Sequence, residues 1–325
     1  MWDNYPVNDA TMATRLHLGP YRGREPDLTD AVDGVLLNPM NQARASWVAL
    51  GTAAEYLRDP VGYDPDTAWS TSLEAVGGTH APALRALASA CADGALSPPE
   101  ALPLHSLTDA LEQELDGPEW PDAVAAVRGH LVTVRDAGDG WPEDDPLRAE
   151  VAPWLAHGAV EARAGLAALR LIQAVRPVAR WGADGEGWAA APDAEAALRA
   201  AFGMVFEWSG ARDGSQVVFG PRFTISPAVV QLPDGRPGLD VAGTVLEDRC
   251  AIDRLCRLAL ATYAVWAAWP SQPLRVVADK GEVPVDASGS FKLDAESSMI
   301  LVRMGQAVTR VSMEQVLPFR DRRLE

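Results

Sequence analysis

The chain has 325 residues, 48% of them hydrophobic, and a formal net charge of −17. This length and apolar content predict one large domain or two to three smaller ones, and they exclude a disordered chain. The negative charge argues against nucleic acid or an anionic membrane as a partner, because both require clustered Lys and Arg.

The first 38 residues are predicted to form a strand end, a loop rich in glycine and proline, and a second strand. The run DGVLLNP is short and apolar and stops at Asn38 and Pro39, which is typical of a buried parallel strand. A helix is then predicted to begin at Asn41 as its N-cap. Its buried stripe is predicted from helical spacing to contain Met40, Ala43, Trp47, Leu50, Ala54 and Leu57.

Residues 64–176 alternate helical patterns with short breaks, which indicates an antiparallel helical bundle. Asp64 is the predicted N-cap of the first helix, with Pro65 at its first position. The predicted helices cover 65–76, 80–92, 106–116, 119–136 and 144–176. The last one carries a single apolar stripe: Val151, Trp154, Leu155, Val160, Leu166, Leu169 and Ile172.

A connector with Gly and Trp at about 180–193 predicts a domain boundary, because the hydrophobic period changes after it. Helices are predicted over 194–209 and 247–268, with a hairpin at QLPDGRPG between them. The runs LRVVADKGEVPV, SFKLDA and MILVRMGQAVTRVSM predict further strands. This last part is predicted to be a small α+β domain.

The cysteines, Cys91, Cys250 and Cys256, are too scattered for a disulfide framework, and we expect buried free thiols. The five histidines fall on different predicted elements without metal-binding spacing, so we expect no metal and no cofactor. The chain as given carries no leader or anchor and is predicted to be cytoplasmic, or secreted if its true N-terminus is missing.

The opening stretch WDNYPVND concentrates polar and aromatic side chains after a strand. Asn and Asp at strand ends can bind sugar hydroxyls beside an aromatic platform. On the residues alone, a polar turn remains the alternative. The candidates for such a site are Trp2, Asp3, Asn4, Asn8 and Asp9, with Asn38 at the end of the next apolar run.

Three motifs occur in order: WDNYPVND, LHLGPYRGR and GVLLNPMNQARASWVAL. Over about the first 60 residues the chain therefore resembles the end of the catalytic barrel of the family 84 glycoside hydrolases. These are β-N-acetylglucosaminidases that include protein O-GlcNAcases and bacterial enzymes named hyaluronidases. The helical block resembles that family's post-catalytic domain in architecture alone, and residues 181–325 carry no resemblance.

The resemblance implies a fold that is mainly α with α+β. It would contain the last strands of a TIM-type (β/α)8 barrel in residues 1–60, a helical bundle in 61–180, and an α+β domain in 181–325. It also implies a substrate, a glycan or glycoprotein bearing N-acetylglucosamine. Trp2 would form the floor of the pocket and Asn4 would lie at the N-acetyl end. Asp9, assisted by Asn38, would accept hydrogen bonds from sugar hydroxyls.

The family resembles retaining enzymes in which the substrate's own 2-acetamido carbonyl attacks the anomeric carbon. One Asp orients that group and a neighbouring Asp acts as general acid and then base. The resemblance implies that this Asp pair lies upstream of Met1. The only Asp-Asp pair present, Asp144–Asp145, is predicted to cap a helix, so no catalytic residue is assigned and the chain alone is expected to be inactive.

The alternative is a non-catalytic carbohydrate-binding or protein-interaction module built from residues 64–325. The tryptophans that would form its binding platform are Trp181, Trp188, Trp208, Trp266 and Trp269. Core and domain-interface positions are the more common role of such residues. The sequence does not assign an oligomeric state.

Overall fold

The computed structural model describes residues 1–92, 102–115, 117–179, 194–212, 214–220, 228–231, 237–240, 250–267, 275–278, 281–283, 299–304 and 307–312. Most of the secondary structure in these residues is helical. The α-helices are α1 (Leu28–Ala31), α2 (Ala43–Arg58), α3 (Pro65–Gly77), α4 (Ala81–Ala90), α5 (Pro103–Gln113), α6 (Trp120–Arg135), α7 (Pro146–Ala179), α8 (Ala194–Arg212) and α9 (Ala251–Ala267). Short 3-10 turns occupy Ala10–Met12 and Gly78–His80.

The strands found in the described ranges fall into three separate sheets. They are β1 (Trp2–Asp3), β2 (Leu36–Leu37), β3 (Ala228–Gln231), β4 (Pro237–Asp240), β5 (Arg275–Ala278), β6 (Gly281–Val283), β7 (Met299–Met304) and β8 (Ala307–Ser312). β3 and β4 pair antiparallel, and a four-stranded antiparallel sheet has the order β6-β5-β7-β8. The predicted hairpin and C-terminal strands are therefore confirmed, whereas SFKLDA lies outside the described residues.

β1 and β2 run parallel, with Trp2 opposite Leu36 and Asp3 opposite Leu37. The predicted pair of parallel strands is thus present. The prediction that the second strand is buried is wrong for Leu36, which is 66% exposed. Leu36 lies on a face of this sheet that the described residues leave uncovered, so its side chain stays in contact with solvent.

The buried face of α2 differs from the predicted stripe. Trp47 is 63% exposed, and the buried positions are instead small or polar residues with Val48 and Tyr56 among them. A Cβ on Gly51 would collide with Ser72 Oγ of α3, so α2 is buried where its side chains are small. Asn41 is also not the N-cap: that position belongs to Gln42, whose side chain makes no capping hydrogen bond.

The first turn of α2 is capped by a residue from α7. Glu150 Oε2 accepts hydrogen bonds from the backbone N–H groups of Arg44 at 2.8 Å and Ala45 at 3.2 Å. These are donors that an α-helix leaves without an internal partner, and a carboxylate also interacts favourably with the positive end of the helix dipole. Glu150 therefore links the N-terminus of α2 to α7.

Replacing Glu150 with Ala is expected to lower the free energy of unfolding by about 1 kcal/mol, the usual cost of a lost cap. Chemical denaturation monitored by circular dichroism measures this change. The matched control is Glu143→Ala, just before α7, because the Glu143 side chain is 89% exposed and its contact with Arg148 is 3.6 Å long. Equal losses in the two variants would contradict a capping role for Glu150.

α7 is the central helix of the bundle and packs against α2, α4, α6, α8 and α9. Its predicted stripe is confirmed: Val151, Trp154, Leu155, Leu166, Leu169 and Ile172 are buried, and Val160 is partly buried. The predicted helices agree with the observed ones, although α5 begins at Pro103 rather than at 106. Asp64 caps α3 as predicted and accepts a hydrogen bond from the Thr67 N–H at 2.7 Å.

The hydrophobic core of the bundle continues past the expected boundary near 180. Buried residues of α8 and α9, including Trp208 and Leu255, belong to the same cluster as those of α7. Cys91, Cys250 and Cys256 are all free and buried, as predicted. No helix among the described residues is long and apolar enough to cross a membrane.

The segment after the first 3-10 turn lies across the bundle. The Thr14 carbonyl accepts hydrogen bonds from Trp154 Nε1 at 3.0 Å and from the Val217 N–H at 2.8 Å. The Leu18 carbonyl accepts one from Trp69 Nε1 at 2.6 Å. The opening segment is therefore held in place by helices that follow it in the chain.

Candidate functional site

Asn4 and Asn38 meet because they follow the two parallel strands directly. The Asn38 N–H donates to the Asp3 carbonyl at 3.0 Å, which extends the ladder of β1 and β2 by one residue. The carboxyl ends of parallel strands lie at the same edge of a sheet, where ligands commonly bind. At this edge Asn4 Oδ1 accepts two hydrogen bonds, from Trp2 Nε1 at 2.9 Å and from Asn38 Nδ2 at 3.2 Å.

This arrangement decides which polar groups stay available to a ligand. Since Asn4 Oδ1 is occupied, its Nδ2 group is the open end of the amide, and among the described residues it has no hydrogen-bond partner. Asn38 Oδ1 likewise has no partner in the described part of the chain. The site therefore offers one amide donor and one amide acceptor beside the Trp2 indole, which is 66% exposed.

An open cavity of about 500 Å³ lies against Trp2 and Asn4, whereas Asn38 is not among its lining residues. A cavity of this size accommodates a small ligand. Its lining is Met1, Trp2, Asp3, Asn4, Gly23, Arg24, Glu25, Asp27, Leu28 and Ala31. The wall thus combines the opening strand with the loop that leads into α1 and carries mostly acidic charge.

Asp3 and Arg24 form an ion pair. The sequence analysis named Asp3 as a candidate but did not predict this pairing. Arg24 Nη2 lies 2.7 Å from both carboxylate oxygens of Asp3, and Arg24 Nε donates to Asp3 Oδ2 at 3.0 Å. Tyr21 OH donates to the same Oδ2 at 2.6 Å. The only sequence signal was the motif PYRGR itself, in which an Arg follows a turn close to an aromatic residue.

The electrostatics of this network favour a fixed charge pair. Burial, followed by the hydrogen bond to Asp3, raises the pKa of Tyr21 and keeps its hydroxyl protonated as a donor. Burial disfavours the charge on Arg24, but the hydrogen bonds and charge of Asp3 outweigh it and raise the pKa of Arg24.

A cluster of four tyrosines supports the wall from behind. Tyr5, Tyr21, Tyr56 and Tyr63 contact one another in that order in tilted or edge-to-face arrangements, with neighbouring ring centroids 5.3 to 5.5 Å apart. The Arg24 guanidinium lies 4.3 Å from the centroid of the Tyr21 ring, within the range of a cation–π interaction. The hydroxyl of Tyr5 donates to the Gly19 carbonyl at 2.5 Å, which ties the strand end to the following loop.

Asn8 is a structural residue and does not belong to the open site. It is 1% exposed. Its Nδ2 donates to the Arg15 carbonyl and to Gln42 Oε1, and its Oδ1 accepts from the Asn41 N–H at 3.1 Å. With these bonds Asn8 joins the opening segment to the residues just before α2.

Asp9 is exposed, and among the described residues no hydrogen bond joins its side chain to Trp2, Asn4 or Asn38. Its side chain makes no capping hydrogen bond to the 3-10 turn that follows, and it does not line the cavity. Ala10 has a φ of +47°, a left-handed conformation that costs a non-glycine residue about 1 kcal/mol. The backbone beside Asp9 is therefore strained, which is common near ligand sites.

The remaining candidates have structural positions. Asp145 caps α7 as predicted and accepts hydrogen bonds from the N–H groups of Leu147 at 2.8 Å and Arg148 at 3.0 Å. Trp208 is 1% exposed and lies in the core, so it is unavailable to a binding platform. Trp181, Trp188 and Trp269 lie outside the described residues. Within the part of the chain that is described, no group of three or more His, Cys, Asp or Glu side chains is arranged to hold a metal ion.

Comparison with protein families agrees with the motifs of the opening segment. Residues 1–89 match the family model described as beta-N-acetylglucosaminidase. Over 58 residues the chain is 41% identical to Protein O-GlcNAcase of Rattus norvegicus and of Mus musculus. That stretch is 18% of this chain and 6% of the length of each relative. The resemblance to family 84 glycoside hydrolases is confirmed.

Comparison with solved structures shows the same fold over most of the chain. A variant of the O-GlcNAc hydrolase of Thermobaculum terrenum superposes with a TM-score of 0.58 at 20% identity, over 82% of this chain and 49% of that one. The structure of CpGH84D gives a TM-score of 0.57 at 20% identity, over 80% of this chain and 40% of that one. The chain thus spans about half the length of these structures or less, and its mainly helical fold is confirmed.

Proposed function

We propose that Trp2, Asn4 and Asn38 form a site that binds an N-acetylglucosamine residue, because they lie in the segment that matches the beta-N-acetylglucosaminidase family model. The chain would be the C-terminal portion of a retaining, substrate-assisted enzyme that removes terminal β-linked N-acetylglucosamine. Its substrates would be glycans or glycoproteins that carry this sugar. β1 and β2 would then be the last strands of the catalytic barrel.

One observation carries this proposal. Trp2 and Asn38 both donate to Asn4 Oδ1, and this leaves the Nδ2 group of Asn4 as a donor. An acetamido group presents a carbonyl oxygen, which requires such a donor. The exposed Trp2 ring beside it provides an apolar surface for the face of a sugar ring. A plain polar turn would not require an indole N–H and the amide of Asn38 to converge on the Asn4 oxygen.

The other two predicted residues have supporting roles in the proposal. Asn38 Oδ1 would accept a hydrogen bond from a sugar hydroxyl. Asp9 is exposed and would accept hydrogen bonds from hydroxyls at the far side of the ring. The strained backbone at Ala10 agrees with a carboxylate held for a ligand.

The chemistry of hydrolysis is proposed to lie with residues outside this chain. Substrate-assisted hydrolysis requires one carboxylate to orient the acetamido group and a second to protonate the leaving oxygen. The Asp144–Asp145 pair does not qualify, since Asp145 caps α7 at the bundle. The chain is therefore proposed to bind the sugar weakly, in the millimolar range of dissociation constants, and to turn nothing over.

Replacing Trp2 with Ala is expected to weaken the affinity for methyl β-N-acetylglucosaminide by about fivefold to tenfold, the worth of one aromatic contact. Saturation-transfer NMR of the chain measures the affinity. The matched control is Trp47→Ala, because Trp47 is 63% exposed on α2 and has no part in the site. An equal affinity in the Trp2→Ala and wild-type chains would contradict a sugar-binding role for Trp2.

The assignment of the catalytic pair has its own test. The purified chain is incubated with an aryl N-acetylglucosaminide, and release of the aryl alcohol is followed by absorbance. No turnover above the uncatalysed rate is expected. Clear turnover that Trp2→Ala lowers would contradict the assignment and show that this chain contains the catalytic carboxylates.

A further inference from the structure

Asp3 lies between the two residues that are proposed to face the sugar. Successive residues of an extended strand point to opposite sides, so Asp3 and Trp2 lie on opposite faces of β1. The Asp3 side chain is 11% exposed and the Arg24 side chain 17% exposed. The ion pair is thus partly shielded from solvent and sits next to the cavity, which both residues line.

Arg24 holds Asp3 by a geometry that fixes direction as well as distance. Its guanidinium binds both carboxylate oxygens, and a planar fork of this kind allows little rotation of either side chain. The guanidinium is itself held in place, because its Nη1 donates to the Arg22 carbonyl and its face lies over the Tyr21 ring. Arg24 therefore connects Asp3 to the tyrosine cluster and fixes the position of the Asp3 carboxylate.

We infer that Arg24 is a positioning residue for the sugar-facing pair Trp2 and Asn4, acting through Asp3. By fixing the residue between them, Arg24 sets the strand orientation at which Trp2 Nε1 reaches Asn4 Oδ1 and the amide donor of Asn4 stays open. Sites of this kind lose affinity when their supporting contacts are loosened, even if the ligand-contacting residues are unchanged. This inference rests on the proposed function for its ligand but not for its geometry.

The test compares Arg24→Met with the wild-type chain by two measurements. The first is the ¹⁵N NMR signal of the Trp2 indole N–H, assigned with Trp2→Phe, which reports the hydrogen bond to Asn4 whether or not a sugar binds. In Arg24→Met this signal is expected to move towards that of a free indole. The second is the affinity for methyl β-N-acetylglucosaminide, which is expected to fall about tenfold.

Two further variants separate positioning from general stability. Arg24→Lys keeps the charge but cannot hold both oxygens of Asp3, so it is expected to give a smaller shift of the Trp2 signal and to serve if Arg24→Met does not fold. Arg22→Met is the matched control, because Arg22 is the same residue type two positions away and pairs with Asp66 at 2.5 Å. It is expected to leave the Trp2 signal and the affinity unchanged.

An unchanged Trp2 signal in folded Arg24→Met or Arg24→Lys would overturn the inference, even if the melting temperature fell. An unchanged affinity beside a wild-type chain that binds the sugar would overturn it too. If the wild-type chain binds no sugar but the Trp2 signal still moves in Arg24→Met, the proposed function fails and the positioning role stands.

Discussion

Replacing Trp208 with Ala is expected to lower the free energy of unfolding by about 3–5 kcal/mol, the usual cost of removing a buried aromatic side chain. Trp208 lies on α8, is 1% exposed, and belongs to the same hydrophobic core as α7 and α9. Its removal leaves a cavity between helices that surrounding side chains fill only in part. The loss is measured by chemical denaturation followed by circular dichroism.

The control is Phe206→Ala, two positions away on the same helix. Phe206 is 79% exposed, so its removal is expected to change stability by less than about 0.5 kcal/mol. The two variants share the helix and the type of substitution and differ in burial. A similar small effect for both would show that α8 does not contribute to the core of the bundle.

This comparison also tests the expected division of the chain near residue 180. If α8 belonged to an independent unit, Trp208→Ala would produce a separate early transition and leave the unfolding of α2 to α7 unchanged. Because the core is continuous from α7 to α8 and α9, we expect one transition that shifts as a whole.

Replacing Glu161 with Gln is expected to stabilise the protein more at pH 8 than at pH 5 and so to flatten the pH dependence of its stability. Glu161 lies on α7 and is 2% exposed. Its Oε1 lies 3.1 Å from His157 Nε2, one turn earlier on the same helix. Burial raises the pKa of Glu161 to about 7, with a smaller contribution from the charge of Asp253, while His157 opposes the shift.

The sign of the effect follows from this raised pKa. The folded chain binds the Glu161 proton more tightly than the unfolded chain, whose Glu has the ordinary pKa of about 4.5. The protonated group carries no penalty below about pH 4.5, and stability is lost as the pH rises from there through about 7. Gln has no proton to lose, so Glu161→Gln removes this loss.

The neighbours of Glu161 come from several elements. Asp253 on α9 is 1% exposed. The buried thiols of Cys250 and Cys91 also interact electrostatically with the Glu161 carboxylate. Denaturation midpoints of the wild type and Glu161→Gln between pH 5 and 8 give the measurement. The control is Glu207→Gln, which removes a carboxylate paired at the surface with Arg163. A constant difference between wild type and Glu161→Gln across this range would contradict the raised pKa.

Local signals explain what could be predicted from the sequence. Asp64 before Pro65, and Asp145 before Pro146, carry the side chains that cap a helix within three residues, so both helix starts were predictable. The apolar stripe of α7 is long and periodic. This signal is also local in the sequence, so the burial of the stripe was predictable.

Non-local contacts explain the rest. Trp47 was assigned to the buried face of α2, but α2 is buried where Gly51 meets Ser72 of α3, and spacing within α2 alone does not contain that information. The cap of α2 comes from Glu150, more than 100 residues away. The buried face of α2 and its cap both depend on tertiary contacts, so neither can be predicted from the local sequence.

The candidate site shows the same limit. Asn4 and Asn8 are the same residue type four positions apart, yet Asn4 is exposed with an open amide and Asn8 is buried with a saturated one. Residue type and position in the motif made both residues candidates for the sugar-binding site. The parallel pairing of β1 with β2 brings Asn38 to Asn4, whereas Asn8 is buried by its hydrogen bonds to Arg15, Asn41 and Gln42.

The most direct test of the proposed site is an NMR titration of the ¹⁵N-labelled chain with methyl β-N-acetylglucosaminide. The Trp2 indole N–H and the side-chain amide signals of Asn4 and Asn38 are expected to shift together with one dissociation constant. The Trp47 indole is expected to stay fixed, and methyl β-galactoside, which lacks the acetamido group, is expected to cause no such shifts. Sugar-induced shifts confined to other residues, or none up to the solubility of the sugar, would contradict a sugar site at Trp2, Asn4 and Asn38.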